Sequence, residues 1–133
     1  MKFNYKRYGP DILRPVIEIK VSANSESFKY HVLVDSGADI CLFHSEVGEA
    51  IGLDIKKGKP NIVTGVGGKS SEYFLHKITI EVGGWPYEIE VGFLPNIGGR
   101  SAPYGIVGQQ GFFEFFKVIF DRKDEAIELR RKE

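Results

Sequence analysis

One acidic residue of this chain is followed directly by a hydroxyl residue and a glycine, at the end of an apolar run. Asp35, Ser36 and Gly37 come after the run at residues 32–34, which predicts a buried strand with the carboxyl group at its tip. Ser36 supplies a hydrogen-bond donor and acceptor, and Gly37 permits a turn or the close approach of a peptide. The triplet occurs once, so an active site built on it needs its other half from a second copy of the molecule. The same residues could also form an ordinary turn after a strand.

Length, charge and composition narrow the classes of function. A chain of 133 residues predicts one domain, residues 1–133, with a core at about 14–130 and short flexible ends. Its 18 basic and 18 acidic residues balance, so the charge gives no indication of a nucleic-acid partner. The sequence shows neither an apolar stretch of membrane-spanning length nor a secretory signal, so we expect a cytoplasmic protein with no membrane partner. A segment processed from a longer polyprotein would look the same.

The residues that often bind metals or act as nucleophiles form no site pattern. Cys41 lies in an apolar run, which favours a buried structural thiol, and a single cysteine excludes an internal disulfide and a multi-cysteine metal site. The histidines His31, His44 and His76 are scattered and lack the spacing of a metal site on a helix, which favours surface or structural roles. We therefore expect no metal and no cofactor.

Short β-branched and aromatic runs between 16 glycines and six prolines predict many strands and turns. The predicted strands are residues 16–21, 28–34, 61–64, 72–82, 87–93, 104–107, 117–121 and 126–130. Gly83 and Gly84 predict a tight hairpin turn, and residues 94–103 a loop. The predicted helices are residues 109–116 and residues 45–53, the latter capped by Ser45 and with Val47, Ala50 and Ile51 as its apolar stripe. The chain is therefore expected to be all-β, mainly strands with one or two short helices, in a barrel-like or sandwich arrangement.

The order of these parts resembles the retropepsins, the retroviral-type aspartic proteases, and their cellular relatives. Asp35, Ser36 and Gly37 look like the family's Asp-Thr/Ser-Gly triplet, and the extended motif continues to residue 39. The glycine-rich residues 65–68 look like the tip of the family's flap, and residues 105–108 look like its hydrophobic-hydrophobic-glycine element. An Arg-Pro pair at residues 14 and 15 is a fourth match. The resemblance spans roughly residues 14–129 and implies a retropepsin-like closed barrel with one lobe per chain.

The resemblance implies an aspartic endopeptidase that is active as a homodimer. Two symmetry-related Asp35 carboxylates would share one proton, because like charges so close together cannot both be ionised. The ionised carboxylate would take a proton from a bound water, and the protonated one would donate to the scissile carbonyl of a peptide or protein substrate. The Ser36 hydroxyls would brace the two loops, and the Gly37 carbonyl would contact the substrate backbone.

A peptide-binding cleft is implied as well. Asp39 would bind backbone amides at the ends of the cleft. The remaining substrate-binding positions are Gly65, Val66 and Gly67 in the flap, and Ile40, Leu42, Tyr104 and Ile106 in the side-chain pockets. An extended peptide would add to the cleft walls like a strand, so main-chain bonds would supply affinity and the pockets would supply selectivity.

The chain also departs from the viral pattern. Gln109 stands where many members have an arginine that pairs with the residue matching Asp39, and Arg14 of the partner subunit is the candidate replacement. Viral members build their dimer contact from interleaved terminal strands, and the sequence does not decide whether residues 126–130 do so here.

Two other functions remain open from the sequence. A protease-like domain that binds peptides or mediates dimerisation without cleaving is an alternative to the enzyme, and an all-β structural domain is a third possibility. A phosphate-binding loop at residues 65–68 is disfavoured, because no helix N-terminus or Lys-Ser/Thr pair follows it.

Overall fold

Strands dominate the computed structural model, which describes residues 1–24, 26–65, 67–97 and 103–132. The strands are β1 (Lys2–Asn4), β2 (Lys6–Gly9), β3 (Ile12–Arg14), β4 (Val16–Ser22), β5 (Ser27–Val34), β6 (Cys41–His44), β7 (Lys59–Thr64), β8 (Ser70–Val82), β9 (Trp85–Leu94), β10 (Gly105–Val107), β11 (Phe116–Asp121) and β12 (Ala126–Arg131). One α-helix, α1 (Ser45–Ala50), and a 3₁₀ turn (Ile55–Lys57) follow β6. Within the described ranges, none of the helices has the length and apolar character needed to cross a membrane.

Six strands close into a barrel. The larger sheet has the strand order β4-β5-β10-β6-β9-β8-β7. Its first strand, β4, also pairs with β8, for example Lys20 with Glu81, and this pairing closes the ring. Side chains alternate across each strand, so Ile17, Ile19 and Val21 of β4 are buried inside the barrel. Strand β7 lies outside this ring and pairs with β8 to form a hairpin.

A smaller sheet carries both ends of the chain, with the order β1-β12-β11. Phe3 of β1 pairs with Ile127, and β12 pairs along its length with β11. Ile127 and Leu129 are fully buried in the same core as the barrel residues, which fixes this sheet to the barrel. Strands β1, β2 and β3 lie within residues 2–14 and were not predicted, because they are short and rich in lysine and arginine.

All eight predicted strands are confirmed, with ends shifted by one or two residues. Strand β6 was not predicted, because its first three residues are all apolar and buried and show no alternation. The first predicted helix is present but ends at Ala50, and its N-cap is His44 without a side-chain cap bond, so the predicted Ser45 cap is wrong. Ala50 is exposed and Gly48 is buried instead, so that part of the predicted apolar stripe is also wrong.

Residues 109–116 do not form the predicted second helix. The turn at Gln109–Phe113 contains Gln110 at φ −84° and ψ 128° and Gly111 at φ 90°, values that a regular helix does not have. Phe112 and Phe116 are buried with their ring centroids 5.0 Å apart. Their spacing of four residues is also that of one face of a helix, which is why a helix was predicted. In the structure an irregular turn followed by β11 brings the two rings together in the core.

Candidate active site

Asp35 stands at the end of β5, where this strand runs parallel to β10. Val34 pairs with Val107 in the register of the two strands, and the Asp35 N–H donates to the Val107 carbonyl at 3.0 Å. On the other side, the Val34 N–H donates to the Pro15 carbonyl at 2.9 Å. Val32 and Val34 are buried, so the core anchors the strand that ends at this carboxylate. Asp35 itself is half-buried at the edge of the barrel.

The turn that follows Asp35 holds its carboxylate. The Gly37 N–H donates to Asp35 Oδ1 at 2.9 Å, and the Ala38 N–H donates to the Asp35 carbonyl at 3.2 Å. A Cβ at Gly37 would lie 3.3 Å from the same Oδ1, so a larger residue would crowd this bond. In the described part of the chain, no further hydrogen bond reaches the carboxylate. Of the two carboxylate oxygens, Oδ1 is thus the one held by a hydrogen bond from the described residues.

The turn after β10 is hydrogen-bonded to the loop that follows Asp35. The Gln109 N–H donates to the Ala38 carbonyl at 2.8 Å, and the Gln110 N–H donates to the Asp39 carbonyl at 3.0 Å. The Gln109 side chain donates from Nε2 to the Ser36 carbonyl at 2.7 Å. Gln109 therefore holds the backbone of the Asp35 turn, and the Asp39 side chain stays exposed.

A second apolar cluster lies beside this loop and reaches the β7–β8 hairpin. Its buried members are Leu42, Tyr73, Leu94 and Ile97, and Ile40, Val63, Leu75 and Ile106 pack against them. Three of the predicted pocket residues, Ile40, Leu42 and Ile106, are thus brought together, and Ile106 pairs directly with Leu42. The sequence analysis missed the members from β7 and β8. The sequence signal that could have identified them is the alternation of apolar residues in β8. It shifts from odd-numbered positions at Tyr73 to even-numbered positions at Ile78.

Tyr104 lies elsewhere than the other three predicted pocket residues. Its hydroxyl accepts a hydrogen bond from Arg14 Nη1, and its ring packs edge-on against Tyr8 with centroids 5.4 Å apart. The Arg14 guanidinium lies 5.7 Å from the centroid of the Tyr104 ring. Tyr104 is therefore held by Arg14, the last residue of β3, and it is not a member of the apolar cluster.

The glycine-rich segment forms the tip of the β7–β8 hairpin. The Gly65 N–H donates to the Lys69 carbonyl at 2.9 Å, and the Gly68 N–H donates to the Gly65 carbonyl at 3.1 Å. Gly67 and Gly68 have φ values of 92° and 80°, a left-handed conformation that favours glycine. Val66, the remaining predicted flap residue, lies outside the described residues.

Cys41 is the buried structural thiol that the sequence predicted. The Gly108 N–H donates to Sγ at 3.5 Å, and the thiol donates to the Gln110 carbonyl at 3.3 Å. Burial raises the pKa of the Cys41 thiol to about 11, so it is protonated at neutral pH. Cys41 therefore supports the packing behind the Asp35 turn without being a nucleophile.

The histidines have structural or surface contacts. His76 Nε2 lies 2.8 Å from the Ile55 carbonyl, and His44 Nδ1 lies 2.6 Å from the Tyr30 hydroxyl. Burial raises the pKa of Tyr30 well above its ordinary value, which keeps this hydroxyl neutral. His31 lies 3.9 Å from the Glu18 carboxylate at the surface. Among the residues that the structure describes, no group of histidine, cysteine and acidic side chains is arranged to hold a metal ion.

A solved structure with the same arrangement of strands is the EIAV protease complexed with the inhibitor HBY-793. It matches 78% of this chain and 88% of that chain, with a TM-score of 0.54 and 20% sequence identity. At this identity the likeness shows the fold, and the predicted retropepsin-like fold is confirmed. A family model described as aspartyl protease matches residues 19–110, which is more than half of the chain. The chain belongs to the aspartyl protease family and is an aspartic-type peptidase; a comparison with curated protein sequences found no match.

We expect Gln109→Ala to lower kcat on a peptide substrate by about three- to tenfold, because losing one hydrogen bond on the Asp35 turn costs about 0.5–1.5 kcal/mol. KM should change little, since Gln109 holds the loop and not the predicted pockets. Steady-state kinetics with a fluorogenic peptide measure both constants.

Gln110→Ala is the matched control, because the described contacts of Gln110 are made by its backbone. It should keep kcat within about twofold of the wild type, since no side-chain hydrogen bond is lost. An equal loss of kcat in both variants would mean that the Gln109 side chain has no particular role at the turn.

Proposed function

We propose that this protein is an aspartic endopeptidase that acts as a homodimer, with one Asp35 from each subunit at the catalytic centre. The observation that carries the proposal is the Asp35 turn, where a strand end presents a carboxylate with one oxygen held by the Gly37 N–H. Aspartic peptidases use two carboxylates that share a proton, and this chain contains the Asp-Ser-Gly triplet once. A twofold axis beside Asp35 supplies the second carboxylate.

The chemistry follows from placing two acid groups a few ångströms apart. They cannot both carry a negative charge, so the pair holds one proton and titrates as a unit. The ionised carboxylate removes a proton from a water that lies between them, and the protonated carboxylate donates to the scissile carbonyl oxygen. In each subunit Gly37 orients the carboxylate, and the exposed Ser36 hydroxyl braces the facing turn.

The substrate is an extended peptide bound between the apolar cluster and the β7–β8 hairpin. Side chains of the peptide enter pockets formed by Ile40, Leu42 and Ile106, so apolar or aromatic residues are preferred. The hairpin closes over the peptide and excludes water, and we assign the contacts with the peptide to Gly65, Val66 and Gly67. The exposed Asp39 binds backbone amides at the end of the cleft, and Tyr104 belongs to the adjoining wall that Arg14 holds.

We also propose that residues 1–133 form a single domain. Met1, Phe3 and Tyr5 pack against the core that contains Ile127 and Leu129, so both ends of the chain share its hydrophobic core. A reducing, cytoplasmic setting fits the one cysteine of the chain, which is a buried free thiol.

Specific activity should fall when the protein is diluted below the dissociation constant of the dimer, because a single subunit has one carboxylate. The test measures peptide cleavage per subunit over a wide range of protein concentration, together with sedimentation equilibrium of the same samples. The concentration at half-maximal activity should agree with the dimer constant. Cleavage that does not depend on concentration, or no cleavage by a stable dimer, would contradict the proposed function.

A further inference from the structure

We propose that two copies of this chain associate through the open edge of β11 and form a continuous six-stranded sheet beneath the two Asp35 turns. The proposal rests on the proposed homodimeric function and adds where the partner binds. Viral retropepsins interleave terminal strands, but here β12 already has β1 on one side and β11 on the other. An inserted partner strand would have to break one of these pairings, whereas the outer edge of β11 is open in the described structure.

The edge of β11 lies next to the Asp35 turn. A depression beside Asp35 is lined by Pro15, Leu33, Ser36 and Phe120, together with Val34. Phe120 belongs to β11, and its side chain is 40% exposed although it is a large apolar group. A dimer that brings the two Asp35 carboxylates within a few ångströms of each other must cover this depression. The surface of β11 around Phe120 is therefore part of the interface.

Backbone groups on β11 are available for another strand. The Lys132 N–H donates to the Phe115 carbonyl at 3.0 Å, and Phe116 lies opposite Arg131. In an antiparallel ladder this arrangement directs the backbone bonds of residues 117, 119 and 121 towards β12. The N–H and C=O groups of Val118 and Phe120 then point to the open edge. An edge strand with apolar side chains and unpaired backbone groups is a template for pairing with another chain.

The sequence of β11 is complementary to itself when two copies pair antiparallel around Ile119. This register sets Lys117 opposite Asp121 of the partner subunit, and the twofold axis repeats the ion pair. Val118 then lies opposite Phe120 of the partner subunit, so the residues that offer backbone groups to the open edge form the hydrogen-bonded pairs. Centring the pairing on Val118 or Phe120 instead would place one of the charged side chains opposite Ile119.

Both charged side chains are free to make this contact. Lys117 is exposed and makes no ion pair in the described ranges. Asp121 accepts the Asp124 N–H on Oδ1 at 3.0 Å, which leaves its other oxygen for the ammonium group of the partner. In the proposed register the two side chains occupy non-hydrogen-bonded pairs, where cross-strand side chains are closest.

Charge-reversal variants test the register. Lys117→Glu places two carboxylates opposite each other at both symmetry-related positions, and Asp121→Lys does the same with two ammonium groups. Each variant alone should weaken the dimer about tenfold or more, and should be inactive at a concentration where the wild type cleaves peptide. Mixed in equal amounts, the two variants form a heterodimer with both ion pairs restored, and activity returns. Lys29→Glu, an exposed change on β5, should leave dimer and activity unchanged.

A disulfide provides a second, independent test. Residue 119 faces itself across the axis with a Cα–Cα distance of about 4.5 Å, which is within the range of a disulfide. Ile119→Cys should therefore form a cross-linked dimer with oxidised glutathione, and its activity should no longer fall on dilution. Lys117→Cys is the matched control, because its symmetry mate would lie about 14 Å away and cannot be bridged. Circular dichroism and urea unfolding show that each variant is folded.

Dimerisation and cleavage are measured separately, so the proposed interface and the proposed function can be contradicted independently. A Lys117→Glu protein that stays dimeric, with no cross-link at residue 119, would overturn the interface even if peptide is cleaved. A cross-linked Ile119→Cys dimer that cleaves no peptide would support the interface and refute the proposed function. A wild-type chain that is monomeric at every concentration, or a β11 edge that binds substrate peptide instead of a second copy, would overturn the interface proposal.

Discussion

Asp35→Asn should abolish peptide cleavage, lowering kcat by about 10³-fold or more, because acid–base catalysis is lost in both subunits at once. An asparagine has nearly the same shape, and its side-chain oxygen can still accept the Gly37 N–H that Asp35 Oδ1 accepts at 2.9 Å. The amide cannot remove a proton from water. The fold and the dimer should therefore remain, which urea unfolding and sedimentation measure. Cleavage is followed by mass spectrometry of a peptide library incubated at acidic to neutral pH.

Asp54→Asn is a suitable control, since Asp54 is a surface carboxylate whose ion pair with Lys57 is 3.9 Å long. It should cleave the library like the wild type. Asp35→Asn added to the wild type should act as a dominant inhibitor, because each mixed dimer contains a single Asp35 carboxylate. Full activity in Asp35→Asn would refute the proposed catalytic centre. Dominant inhibition is the result that separates a shared catalytic centre from one contained within each chain.

Gly108→Ala should lower both stability and activity. A Cβ at this position would lie 2.5 Å from the Ala38 carbonyl oxygen and 2.6 Å from the Ile40 carbonyl oxygen. Both are backbone atoms of the segment after the Asp35 turn, so β10 or this segment has to move. Overpacking of this kind costs about 1–3 kcal/mol of unfolding free energy. A displacement of the turn of about 1 Å would also lower kcat by about 10²-fold.

Urea unfolding and steady-state kinetics measure the two effects of Gly108→Ala. Gly65→Ala is the control for stability, because its nearest neighbour would be the Lys69 carbonyl oxygen at 3.9 Å and its φ lies outside the left-handed region. It should leave the unfolding free energy unchanged within about 0.5 kcal/mol. A Gly108→Ala protein as stable and active as the wild type would show that the segment after Asp35 adjusts freely, contrary to the tight packing that we describe.

Much of the fold could be predicted from neighbours along the chain. Alternating apolar residues and glycine turns identified β4, β5, β8 and β9, because a strand with one buried face repeats every two residues. The Asp-Ser-Gly triplet after a buried run placed Asp35 at a strand end, where the structure also has it. The order of these motifs was enough to predict the retropepsin-like fold.

Other parts depend on contacts between distant segments. Strands β1 to β3 have little hydrophobic pattern, and β1 is defined by its pairing with β12 at the other end of the chain. A helix was predicted wrongly at the turn that begins at Gln109, because Phe112 and Phe116 have the spacing of one helical face. The sequence did not predict that the Tyr104 hydroxyl bonds to Arg14, a residue 90 positions away in the chain. No local pattern contains such information.

Residues adjacent in the chain are enough to predict Asp35 as the acid group and β5 as the strand that presents it. The surroundings of Asp35 come from distant parts of the chain. The Ser36 carbonyl is held by the side chain of Gln109, which is 73 residues away, and Phe120 reaches the same depression from β11. Barrel closure and strand register set these contacts, whereas an alternating pattern shows which face of a strand is buried but not which strand lies beside it.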